Sequence, residues 1–161
     1  MFNLKAEFYL KIIFLFSFIA LISAFFIEYI LGHQPCNLCL IERIPYGLGI
    51  MIIMAIFLIK KNQKFLVMLL ILTFIFSFAI SFYHFGIEQG FFQESSVCGV
   101  KSSTEIVTKE DLLKQLSEKT ISCKDVTFRI FGLSLTSINI VISLLFIITL
   151  LKIFKKYEKN K

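Results

Sequence analysis

Four long apolar runs free of formal charge constrain this chain more than any other feature: Ile12–Ile27, Ile44–Ile59, Phe65–Ile87 and Ile130–Leu151. The last two exceed the ~18 residues that mark a spanning helix. The first two are 16 residues each and reach full length by taking in their flanks, where Lys11 and Glu28 can snorkel toward the headgroups. The expectation is an all-α membrane protein, a single domain built as a four-transmembrane-helix bundle with spans at about 8–31, 40–59, 65–87 and 130–151. Composition agrees, with 57% hydrophobic and 17% charged residues among 161. Soluble domains run at about 45–50% and about 25%. A mean hydropathy of +0.83 points to lipid as the solvent, and a disordered chain, collagen and a secreted mini-protein scaffold are ruled out. Gly 7 and Pro 2 leave few helix breakers.

The net charge of +6 is informative only by position. Four spans put both termini on one side, together with the turn between the second and third spans. That side carries Lys5, Lys11, Lys60, Lys61, Lys64, Lys152, Lys155, Lys156, Lys159 and Lys161 against only Glu7 and Glu158, a balance of +8, which leaves −2 for the rest. The positive-inside rule makes the +8 side, and both termini, cytoplasmic. The cations are short clusters at span ends without aromatic interleaving, so nucleic acid is not an expected partner and membrane lipid is. The basic start followed by an apolar run resembles a signal peptide, but the run continues into Glu28 and Tyr29 with no convincing small-residue cleavage site, so a retained first helix is expected.

All four cysteines then fall on the outer side. Cys36 and Cys39 open the second helix after the short segment Gly32–Pro35, and Cys98 and Cys123 lie in a long loop, 86–129. Outside a bacterial inner membrane the space is oxidising, and an even cysteine count there favours disulfide chemistry. Four cysteines allow three pairings, and counting alone does not choose among them. Geometry prefers Cys36 with Cys39, because residues i and i+3 at a helix start lie roughly 5 Å apart at Cα, within the disulfide range. That choice leaves Cys98 with Cys123. A helix N-terminus also favours a reactive thiolate in the short pair. Zinc held by the four sulfurs stays open beside this reading, although zinc sites usually join two closely spaced pairs and the second pair here is 25 positions apart.

Arg43 follows Cys39 by four positions and so shares its helix face. A permanent cation at this depth is costly unless it serves a purpose. It can stabilise a Cys39 thiolate and charge developing on an electron acceptor, or simply pair with Glu42 or a lipid phosphate. Pro45 is expected to be tolerated within the first turn or so. His84, near the outer end of the third span, is a functional candidate with Glu88 four residues on, and a His–Glu pair without catalytic part is the plain alternative. His33 reads as solvated or lipid-facing. In the long loop Leu112, Leu113 and Leu116 share a helical face after the capping residues Thr108 and Asp111, which predicts a short amphipathic helix.

The run Cys36-Asn37-Leu38-Cys39-Leu40-Ile41-Glu42-Arg43-Ile44-Pro45-Tyr46 resembles the CxLCxx(E/Q)RxPY signature of the disulfide bond formation protein B (DsbB) family. Tyr83 to Gly90, Cys98-Gly99, Cys123-Lys124-Asp125 and Phe131 to Ser134 resemble its later blocks, in order. The resemblance implies an inner-membrane thiol:quinone oxidoreductase that reoxidises a periplasmic DsbA-like, thioredoxin-fold oxidase and passes electrons to ubiquinone or menaquinone. Such a relay is the known case of a periplasm kept oxidising kinetically. It further implies that Cys98 and Cys123 form the disulfide that exchanges with the partner, the analogy favouring Cys98 over Cys123 as the sulfur attacked first without deciding between them, and that Cys36 and Cys39 pass the electrons on. Cys39 would contact quinone, Arg43 position it, and His84 assist near the ring. Many relatives have Trp where this chain has Phe91-Phe92 and Thr127-Phe128, a difference that bears on interfacial anchoring.

Three other readings compete. A vitamin K epoxide reductase-like enzyme also combines four helices, a CxxC and loop cysteines, but places its CxxC late in the bundle. A metal-binding membrane module would use the four cysteines as ligands, and a purely structural subunit would use them only to hold the loop.

Overall fold

The computed structural model describes residues 4–59, 62–93, 98, 122–124, 129–130 and 132–159. It contains four long helices, α1 (Leu4–Tyr29), α2 (Asn37–Leu58), α3 (Gln63–Glu88) and α4 (Leu135–Lys159), each long and apolar enough to cross a membrane. The shortest, at 22 residues, spans about 33 Å at 1.5 Å per residue, enough for a hydrocarbon core of about 30 Å. The expected loop helix around Thr108–Leu116 lies outside the described residues.

Each helix end has a local cause. α1 contains no glycine or proline, and the chain leaves it through Gly32 at φ +72°. Pro35 then disfavours helical geometry in the residue before it, and Cys36 is extended at φ −72°, ψ 166°, which sets it as the N-cap of α2. Pro45 is the ninth residue of α2, about two turns inside rather than in its first turn. Its missing N–H leaves one carbonyl of the preceding turn without its helical donor, a defect membrane helices tolerate when neighbours pack around it. A tight connection through Asn62, in the left-handed region at φ 63°, returns the chain so that α2 and α3 are antiparallel neighbours.

The fourth helix starts later than the apolar run suggests. Arg129–Ile130 (β1) pairs antiparallel with Leu133–Ser134 (β2) through a turn at Gly132, φ +82°. Ser134 then accepts a bond from the Ser137 N–H at 3.2 Å, capping α4 at its first turn. This two-stranded ribbon is a small departure from the all-helical expectation, produced where glycine permits a turn that β-branched and aromatic residues resist.

Packing runs in layers along the bundle. Near the α2–α3 turn, Leu10, Ile13, Ile53, Ile56, Leu70, Phe74 and Leu150 form an apolar core. At the opposite end Cys36, Leu38, Ile87, Cys98 and Cys123 form a second buried cluster. Between the two lie buried polar groups: Glu42, Ser77, Ser81, His84, Thr136, Asn139 and Ser143. Phe18, Met51, Phe76 and Leu145 face outward and exposed, as a lipid solvent permits. α3 packs along both α2 and α4, α1 leans on α2, and α1 and α4 barely touch.

Candidate functional site

The site begins at the first turn of α2. The Cys36 Sγ accepts the Cys39 backbone N–H at 3.3 Å, so a sulfur takes the place that a serine or aspartate oxygen holds in an ordinary N-cap. The two sulfurs stand 2.6 Å apart, with Cys36 buried and Cys39 half-buried. Cys36 lies just outside the spanning segment. The hydrogen bond from Cys39 holds its thiol down at about 5 against the opposing effect of burial, and His84 adds to the lowering.

Cys98 and Cys123 are bonded to each other, their Cα atoms 5.6 Å apart, and both are buried. They share the cluster of Cys36, with Cys39, Ile41, Ile80 and Tyr83 packed against it. Two residue pairs distant in sequence are thus brought to one place. The two sulfurs of α2 and a His84 ring nitrogen lie within 4.8 Å of one another, three soft donors that could hold a metal ion. A four-sulfur site is not what is built, because Cys98 and Cys123 are spent on their disulfide.

His84 is buried between α2, α3 and α4. Its Nδ1 is 2.8 Å from Glu42 Oε1 and its Nε2 is 3.6 Å from Cys36 Sγ. Glu88, the partner suggested by helical spacing, is at 3.9 Å and takes its own hydrogen bond from the Thr136 hydroxyl at 2.7 Å. Asn139 of α4 donates to Glu42 Oε2 at 3.0 Å and to Ser81 Oγ at 2.7 Å, and Tyr46 donates to its carbonyl oxygen. Below these, Ser77 and Ser143 pair at 3.1 Å.

On the other side of α2 a cavity of about 350 Å³ opens between α1 and α4. Phe16, Ile19, Ile27, Ile138 and Ile142 give it apolar walls; Cys39, Glu42, Arg43, Tyr46 and Asn139 supply its polar edge. Arg43 is ion-paired with Glu28 of α1 and lies 5.3 Å above the Phe25 ring. Its partner is therefore not Glu42, since adjacent residues on a helix point apart. His33, expected in solvent or lipid, lines this cavity, whereas His84 is not among its lining residues.

Sequence reasoning singles out Cys36, Cys39 and Arg43 by spacing within one helix, and His84 as a histidine inside a span. It missed Glu28, Thr136 and Asn139 and left Glu42 as a mere alternative partner. A signal was present for the first and last two: an acidic or amide side chain within an apolar span is a functional candidate by default.

The family model for disulfide bond formation protein DsbB matches residues 6–153. The chain belongs to the DsbB family. It is a multi-pass membrane oxidoreductase of disulfide-bond formation. It is also similar to an uncharacterized protein of Rickettsia prowazekii (strain Madrid E), 31% identical over 147 residues, which cover 90% of this chain and 86% of the relative. No solved structure matches the chain. The geometry brings one buried disulfide and one pair of thiols to the same end of the bundle, beside a largely apolar cavity.

Proposed function

We propose that this DsbB-family protein is a thiol:quinone oxidoreductase of the bacterial inner membrane, with its cysteines periplasmic and both termini cytoplasmic. A periplasmic DsbA-like oxidase would deliver electrons to Cys98–Cys123, which passes them to the Cys36/Cys39 pair and on to ubiquinone or menaquinone. The observation that carries this reading is the double position of Cys39, which packs against the buried cysteine cluster and also lines the cavity. A thiol that touches both is the connection between protein disulfide and acceptor that such a relay needs. The +8 charge balance on the side of the α2–α3 turn supports the orientation.

The cavity suits a quinone by its chemistry. Its walls are mostly apolar with a few convergent polar groups, the usual make-up of a small-molecule site. The gap between α1 and α4 gives a lipid-soluble molecule a lateral way in. Arg43 and Cys39 would hold the ring end, and the apolar walls its tail. Quinone supplies a sink for two electrons and two protons; a DsbA-type donor, at roughly −120 mV, needs a sink of higher potential. Arg43 fixes positive charge at the cavity edge, and its pairing with Glu28 keeps the guanidinium oriented rather than free to reach solvent.

The test is quinone reduction, followed by absorbance, in detergent-purified protein supplied with a reduced DsbA-type partner. Wild type is expected to turn over with at least one quinone class, and Cys39→Ala and Cys98→Ala to lose more than about 99% of that rate, since a relay of covalent steps has no bypass. Turnover retained in either variant overturns the relay. The cluster of two sulfurs and an imidazole keeps one second reading, a metal site, and stoichiometric metal in purified protein together with no turnover would favour it.

A further inference from the structure

His84 faces Cys36 rather than the cavity, and its hydrogen bonds fix which ring nitrogen is free. Asn139 donates to Glu42 Oε2 at 3.0 Å, and Glu42 Oε1 lies 2.8 Å from the ring's Nδ1. A carboxylate only accepts, so Nδ1 carries the hydrogen, and the neutral imidazole then presents Nε2 as an acceptor. That atom lies 3.6 Å from Cys36 Sγ, within reach of an S–H donor. The His84 side chain is 3% exposed and that of Glu42 10%, so solvent scarcely competes for the proton.

From this geometry we propose that His84 is the acid–base group of Cys36, with Glu42 as its positioning residue. The Cys36 S–H bond breaks as an N–H bond forms at Nε2, leaving a thiolate, and the Glu42 carboxylate on Nδ1–H balances the imidazolium charge. The reverse transfer returns the proton when Cys36 departs as a thiolate in exchange. The assignment rests on the relay above for making Cys36 a reacting sulfur, and it gives the two sulfurs of α2 different duties: Cys39 meets the cavity, Cys36 meets the base. Glu42 also borders the cavity, so the hydrogen-bonded chain from Cys36 ends at its wall.

Among the described residues, the titratable groups facing His84 are Cys36, Cys39 and Glu42 from α2 and its N-cap, both sulfurs lying within 4.8 Å of a ring nitrogen, and Glu88 from α3 at 3.9 Å. α4 contributes the neutral Thr136 hydroxyl at 3.3 Å, and the disulfide packed nearby does not titrate.

The experiment uses the full chain in detergent, as Cys39→Ser with the loop disulfide intact, and reads the rate of Cys36 alkylation by iodoacetamide against pH by mass spectrometry. With His84 present, the midpoint is expected below the ordinary thiol range. His84→Gln should raise it by at least about one pH unit and slow alkylation at pH 7 about tenfold. Glu42→Gln, close in shape, should move the midpoint in the same direction by less. Retention of the Cys98–Cys123 disulfide reports folding of each variant; if His84→Gln does not fold, the Glu42→Gln midpoint decides. An unmoved midpoint overturns the proposal. No quinone or partner is present in this measurement. A shifted midpoint without quinone turnover in the wild type therefore removes the functional reading and leaves the acid–base pair, and turnover with an unmoved midpoint does the reverse.

Discussion

Cys36 and Cys39 are three residues apart, yet they occupy different surroundings. Cys36 takes the N-cap position, accepts an amide hydrogen and stands beside an imidazole, while Cys39 lines the cavity, as Arg43 does. The asymmetry has a measurable consequence for the potential of the pair. The proton that leaves Cys36 is held on His84 in the reduced protein, and it departs when the Cys36–Cys39 disulfide closes and the imidazole returns to its neutral form, so two protons are released. In a two-electron couple each proton is worth about 30 mV per pH unit. The potential should therefore fall with rising pH by about 59 mV per unit around neutral pH. Glutathione equilibration of the Cys98→Ala/Cys123→Ala protein measures this, and a slope of about 30 mV would show that the proton had gone to solvent and not to His84. Cys36, Cys39 and Arg43 were legible in the sequence because their relation is internal to one helix turn. The Glu28 partner of Arg43 was not, since it comes from another helix.

At the scale of elements, the approach of α2 to α3 depends on a single glycine. A Cβ at Gly49 would meet the Phe74 ring at 3.2 Å and Leu70 at 3.7 Å. Phe74 is fully buried and held edge-on by Phe146 at 5.0 Å and Tyr46 at 6.2 Å, which leaves the ring little room to yield. Gly49→Ala is therefore expected to destabilise by about 1–2 kcal/mol, the cost of overpacking outweighing the gain in helix propensity. Gly47, with nothing within 4 Å of its Cβ position, is the control. There the same change should stabilise by up to about 1 kcal/mol through propensity alone. Thermal unfolding in detergent reads both, and equal effects at the two positions would refute the close-approach account. The existence of the four helices followed from uninterrupted apolar length. Their ends did not: α4 begins after the Gly132 turn and the Ser134 cap, and Pro45 lies two turns deep, because apolar content marks burial in lipid and says little about where a backbone turn forms.

Across the whole molecule, one polar layer ties α2, α3 and α4 together. Asn139 receives the Tyr46 hydroxyl and donates to Glu42 and Ser81, with Ser143 at 3.5 Å from its oxygen. Side-chain hydrogen bonds in membrane bundles contribute about 0.6 kcal/mol each on average. Removing one residue with several partners leaves those partners unpaired at the same depth, which costs more than a single bond. Asn139→Leu should lower stability by about 2–3 kcal/mol, and Ser77→Ala, which removes one pairing, by about 0.6 kcal/mol. Denaturation in mild detergent compares them, and equal losses would show that the layer is not centred on Asn139. The sparing contact between α1 and α4 leaves the opposite flank open as the cavity, so the same bundle is fastened on one side and accessible on the other.

The sequence by itself determined the solvent of this protein, the four spans, the end of the bundle at which the cysteines gather and the helix face shared by Cys39 and Arg43. Each of these follows from local length, charge or a repeat of three to four residues, which a linear chain displays directly. Only the tertiary structure decided that His84 meets Glu42 and Cys36, 42 and 48 positions away, that Asn139 bonds Glu42 from 97 positions away, and that the cavity lies between α1 and α4. Periodicity marks which residues turn inward on each helix, but helix rotation and neighbour choice arise from side-chain packing between helices, which no single span records.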